Sequence, residues 1–276
     1  MKGPQRIVFV QSGPAPARDV SLNRARTLAR SLGVPLSQAP PARLPARGAG
    51  VPAPGGDLAG GAPRGAGASL VVTERDATPG TWYRGPETRA RSFIRGTPCS
   101  VWLLAPDGPP RTRVVVAAAA LPTPEPDALD LEVVAMADAL ARAEGARLLV
   151  VHGWSLIGES IVSCPVRGLG GSRTRRILVR LRRERQQRLE SLLLAASPDA
   201  GTRWILAKGS AADALRTTLT RTGARALVMG YRGRLGPWGT IRGNLAEDFL
   251  DLPGVSLMAV RPMEWAPATT ALSGDR

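Results

Sequence analysis

Between positions 113 and 261, short apolar runs alternate with stretches of helical period, and this alternation constrains the fold more than any other feature of the chain. Residues 113–120 (RVVVAAAA) form an uninterrupted apolar run of strand length, and 147–154 (RLLVVHGW) form a second. Between them, 126–144 sets Leu129, Val133, Met136, Ala137 and Leu140 on one helical face, with Gly145 placed to end the helix. The pattern continues with a long, arginine-heavy helix over 173–196, a strand over 203–207 and a helix over 211–220. A strand over 226–230, a helix over 244–251 and a last strand over 255–261 complete it. Strands that alternate with helices need crossover connections. Those connections cover both faces of a parallel sheet and predict an open, doubly wound α/β architecture of the Rossmann or flavodoxin kind.

The first 105 residues repeat this plan in abbreviated form. Strands are expected over 6–10, 69–73 and 100–104, and helices over 22–32 and 87–95. SLVVTERD lines up with ALVMGYRG, and PETRARSFIRGTPCSVWLLAP with GNLAEDFLDLPGVSLMAVRP, so the chain reads as an internal duplication. Residues 35–67 are mostly Pro, Gly, Ala and Arg and hold no period, which predicts a flexible loop and a first copy that has lost its middle elements. The PDGPP segment at 106–110 reads as a linker. The expected division is a degenerate domain over 1–106, a complete one over 111–265, and a tail over 266–276.

Composition narrows the function classes. With 43% hydrophobic residues in 276, the chain can bury a sizeable core. No apolar run approaches the roughly 20 residues of a membrane span, and Ile7–Val10 falls short of the ~7–15 residues of a signal-peptide core. A cytoplasmic protein with no membrane partner is expected. The net charge of +15 comes almost wholly from arginine, with Lys2 and Lys208 the two lysines. Alanine, glycine and proline are also abundant, as in a GC-rich coding sequence, so the charge names no ligand and no specific nucleic-acid partner is expected.

Catalytic machinery is not indicated. Cys99 and Cys164 lack the spacing of a metal site, and a single histidine, His152, excludes a paired-histidine mechanism. His152 lies in an apolar strand, where a structural role is expected. Ser160 and Ser163 have no histidine and carboxylate at a recognisable spacing, so the chain is not expected to be an enzyme. The arginine helix carries Leu178, Leu181, Leu189 and Leu192 near one face, the pattern of a solvated amphipathic helix, with an anionic surface binder as the alternative.

The segment over 228–247 (VMGYRGRLGPWGTIRGNLAE) carries the strongest ligand signal. A strand ends at Met229-Gly230, a glycine-rich loop follows, and Gly243-Asn244 opens a helix. Glycines let the backbone approach a ligand, and N–H groups at a helix start form an anion site. The spacing Gly230, Gly233, Gly243, Asn244 resembles the nucleotide motif of the universal stress protein family, and ARLLVVHGWSLIGES, KGSAADALR and GNLAE resemble its tandem members. The resemblance implies two universal-stress-protein-like domains, the first truncated, paired through their last strands as an intrachain pseudo-dimer, with a homodimer as a further assembly.

For function, the resemblance implies a regulatory stress-response protein that holds ATP or a related adenine nucleotide in the second copy alone. Met229, Gly230, Gly233, Gly243, Asn244, Leu245 and Ala246 would line that site. Departures from the motif are Ala119, where the family places an aspartate, and Gly153, where it places a valine. Asn244 replaces a serine, and Ala246 lacks the usual hydroxyl. A basic nucleic-acid-binding protein and a slow ATP hydrolase are the alternative readings.

Overall fold

A computed structural model describes residues 4–11, 15–39, 69–75, 89–105, 112–155, 171–232, 245–250 and 252–262. Among them, nine strands form one sheet: β1 (Arg6–Val10), β2 (Leu36–Ala39), β3 (Ser69–Glu74), β4 (Ser100–Leu104), β5 (Thr112–Ala118), β6 (Arg147–Trp154), β7 (Arg203–Lys208), β8 (Ala224–Gly230) and β9 (Ser256–Val260). The order is β2-β1-β3-β4-β9-β8-β5-β6-β7. All neighbours run parallel except β4 and β9, which meet antiparallel with Val101 opposite Ala259, Trp102 opposite Met258 and Leu103 opposite Leu257. The expected juxtaposition of the two last strands is therefore present, and it joins two halves into one sheet. From β7 inward the second half follows the order of a doubly wound fold.

Helices cover both faces. On one lie α1 (Ala15–Leu32), α3 (Ala128–Ala143) and α4 (Gly171–Ala196), and on the other α2 (Arg89–Gly96), α5 (Ala211–Thr222) and a short 3-10 helix (Leu245–Phe249). Strand residues alternate between two cores, as the pleat requires. Ile7, Val72, Trp102, Val150, Val228 and Met258 face α1, α3 and α4. Val101, Leu103, Val116, Leu227 and Leu257 face α2, α5 and the 3-10 helix. Each core draws residues from both halves and runs unbroken across the β4–β9 seam. No helix among the described residues is long and apolar enough to cross a membrane.

Local chemistry explains the element ends. Ser210 caps α5 by accepting from the Asp213 amide at 3.1 Å, and Gly223 closes that helix at φ 61. Three elements differ from expectation, the first being the helix expected over 244–251, where the described residues form a five-residue 3-10 helix, Leu245–Phe249. Residues 36–39, read from composition as the start of a loop, form edge strand β2, held by Ile7 N–H to Pro35 O (2.9 Å) and Gln11 N–H to Ala39 O (3.2 Å). The rest of that stretch, 40–67, lies outside the described residues. Helix α1 begins at Ala15, two turns before the expected 22.

The seam is also tied by polar contacts. On one face the Arg24 guanidinium of α1 donates to Glu144 at the end of α3 (Nε to Oε1 2.7 Å), reaches Ser256 Oγ (3.2 Å) and lies over the Trp102 ring. On the other, Arg75 at the end of β3 donates to the carbonyls of Leu250 (2.5 Å) and Leu252 (2.6 Å). Arg261 donates to Ile94 O (2.5 Å) and covers the Tyr231 ring at 4.4 Å.

Candidate functional site

In the second half the strand order reverses between β5 and β8, because β6 and β7 lie to one side of β5 and β8 and β9 to the other. In open α/β sheets the crevice at the carboxyl ends of such a strand pair is where ligands bind. Met229 and Gly230 end β8 at this point, with Ala118 of β5 beside Met229. The glycine-spaced segment leaves β8 here and re-enters the described structure at Leu245. Gly233, Gly243 and Asn244 lie outside the described residues.

The described site residues are held as follows. Met229 and Ala246 belong to the apolar cluster beneath the sheet and are almost wholly buried, whereas Leu245 is half-buried. Gly230 has a packing reason to be glycine: a Cβ there would stand 2.8 Å from the Leu129 Cδ2 of α3. Ala119 follows β5, and its carbonyl accepts from His152 Nδ1 at 2.9 Å. A carbonyl acceptor fixes the proton on Nδ1. Burial pulls the His152 pKa below the usual imidazole value, and Nε2 is buried without a hydrogen-bond partner among the described residues. Gly153 is closed to any side chain, since a Cβ there would meet Ala211 Cα at 2.7 Å and Ser210 O at 3.0 Å.

Sequence reasoning missed the acids that organise this edge. Asp130, buried on α3, accepts from the amides of Ala120 (3.0 Å) and Leu121 (2.7 Å) and so fixes the turn after β5, where Leu121 has φ 48. Burial raises its pKa, opposed by those two amides. Asp127, the N-cap of α3, pairs with the exposed Arg232 just beyond β8, bridging the two sides of the crevice. Glu247, one turn past the glycine segment, is buried and takes Arg95 of α2 in a forked pair, with Tyr231 Oη donating to Oε1 at 3.4 Å. The available signal was an acid within an otherwise apolar helical face, as Asp130 stands beside Leu129 and Val133.

At the crevice the Arg232 guanidinium is already held by the Asp127 carboxylate. Ala119 and Gly153 offer no side-chain acceptor at the crevice, and Ala211 fills the space in front of Gly153.

The sequence matches no family model and no curated protein. Comparison with solved structures finds the fold clearly. A functionally unknown protein, PA1789 of Pseudomonas aeruginosa PAO1, is similar at a TM-score of 0.61 and 15% identity, over 94% of this chain and 93% of that one. A candidate universal stress protein of Pseudomonas aeruginosa UCBPP-PA14 is similar at a TM-score of 0.59 and 15% identity, over 94% of each chain. The described residues of both halves thus share the α/β fold of the universal stress proteins.

Proposed function

We propose that this chain is a regulatory protein of the universal stress protein type, which holds ATP or a related adenine nucleotide in its second half and catalyses no reaction. The observation that carries this reading is the departure of the glycine-spaced segment from β8 at the switch point beside β5. Phosphates would lie against that segment near Arg232, and the Met229 end of β8 would border the adenosine. Bound nucleotide would act as a signal, leaving the chain's residues to hold it.

The fused arrangement of two copies, with β4 and β9 as their meeting strands, gives one such site for each chain, because the first copy carries no matching glycine spacing. A thermal-shift series with ATP, AMP, cyclic AMP and buffer alone tests the reading. A ligand present at 100 times its Kd stabilises by about 2.7 kcal/mol, a readily measured shift. Gly243→Val should remove it by blocking the backbone's approach to the phosphates. No shift with any nucleotide, or an unchanged shift in that variant, overturns the assignment.

A further inference from the structure

Helix α4 carries two sets of arginines that face opposite ways. One set faces the body: Arg185 Nη1 donates to Leu121 O (3.2 Å), while Arg188 pairs along the helix with Glu184 (2.5 Å). Leu189 and Leu192, both fully buried, anchor the same side. The other set points away. Arg176, Arg180 and Arg183 are exposed and, at about 100° per residue, fall within about 60° of one another on the side opposite Leu189. Together with Arg175, Val179, Glu184 and Gln187 they line an open surface concavity along the helix. None of Arg175, Arg176, Arg180 and Arg183 is in an ion pair with another described residue.

We infer that this outward arginine row is a docking surface for the sugar–phosphate backbone of duplex nucleic acid, bound without regard to sequence. From Arg176 to Arg183 the row spans roughly 10 Å of helix axis. A duplex presents one negative charge per ~1.7 Å of its own axis, so the row faces several phosphates at once. Guanidinium forks match phosphate oxygens two at a time, and a helix anchored by buried Leu189 and Leu192 holds them in a row.

The same geometry disfavours other polyanions. A helix that lies in a bilayer surface buries its apolar face in lipid, whereas the apolar face of α4 is committed to the protein core. Single-stranded nucleic acid is held by stacking on aromatic side chains, and α4 contains none.

The test is fluorescence anisotropy of the full chain with labelled mixed-sequence duplexes of about 20 base pairs, titrated between ~50 and ~200 mM salt. The triple variant R176Q/R180Q/R183Q should bind at least about tenfold more weakly, and its log–log salt slope should flatten by about 2.7, near 0.9 for each lost cation. The control R147Q/R203Q/R221Q removes three exposed arginines from other elements and should keep the wild-type slope. The charge-retaining R176K/R180K/R183K should keep most of it. Circular dichroism checks that each variant is folded. The inference is overturned by a wild-type slope in the first triple, by equal losses in the control, or by tighter binding to single strands than to duplex. Capture by phosphatidylserine vesicles that the first triple loses, with duplex affinity unchanged, would overturn it as well.

Discussion

The Arg95 guanidinium grips the Glu247 carboxylate with both teeth, Nε to Oε1 at 2.9 Å and Nη2 to Oε2 at 2.5 Å, across 152 residues of sequence. Glu247 is buried and Arg95 is about a quarter exposed, so the pair is largely shielded from solvent. It fastens α2 of the first half to the helical turn that ends the glycine-spaced segment of the second. The candidate ligand crevice and the seam between halves therefore share a residue.

Removing one partner of such a pair leaves the other charge poorly solvated. Glu247→Ala should lower stability by about 3 kcal/mol, measured as the urea midpoint at constant m. A double-mutant cycle with Arg95→Ala should return a coupling well above the ~0.5 kcal/mol expected of independent sites. Additive losses would show that the contact contributes nothing specific.

Trp102 is fully buried on β4, beneath Arg24 and opposite Met258 of β9. Trp102→Ala should cost about 3–5 kcal/mol. Both cores cross the seam, so the two halves should unfold in one transition in the wild-type chain, with fluorescence and circular dichroism coincident. Two separated transitions would contradict the shared cores.

Gly153 and Gly230 should respond unequally to alanine. At Gly153 the new methyl meets the Ala211 backbone at 2.7 Å, and α5 would have to shift. At Gly230 it meets the end of the Leu129 side chain at 2.8 Å, which can rotate. Overpacking losses run to about 1–3 kcal/mol, and Gly153→Ala should lie at the upper end with Gly230→Ala at the lower. Denaturant unfolding of both variants checks the ranking, and the reverse order would refute it.

Glu132 is half-buried on α3, and burial pushes its pKa up from 4.5 to about 7. The folded state then holds a proton that the unfolded state releases between those two values, so this residue's contribution to stability falls as pH rises from 4.5 to 7. The loss is at most about 3 kcal/mol. Glu132→Gln should remove it, gaining stability over wild type at pH 8 and little at pH 4. A gain that is the same at both values would rule out this residue as the source.

The sequence made some layers plain and hid others. The β4–β9 seam was implied by the family resemblance, whereas strands β1, β4 and β6 fall on the expected residues because each is a compact apolar run. Local patterns carry that information. Strand β2 escaped because an edge strand needs few apolar side chains, and LSQA sits within a proline- and alanine-rich stretch. The partners of Glu247 and Gly153 escaped for a different reason. Their contacts join positions far apart in the chain, and nothing at residue 153 announces that Ala211 will come to lie 2.7 Å from where its Cβ would be. In the candidate site, spacing pointed to Met229 and Gly230, whereas the acids around them required coordinates.

The antiparallel joint between β4 and β9 lies within a single polypeptide, which sets its response to dilution. Two separate molecules meeting along these strands would part as their concentration fell. Here each strand meets its mate at an effective concentration fixed by the covalent chain. The joined sheet therefore persists on dilution, and the stability of this joint is a property of one molecule.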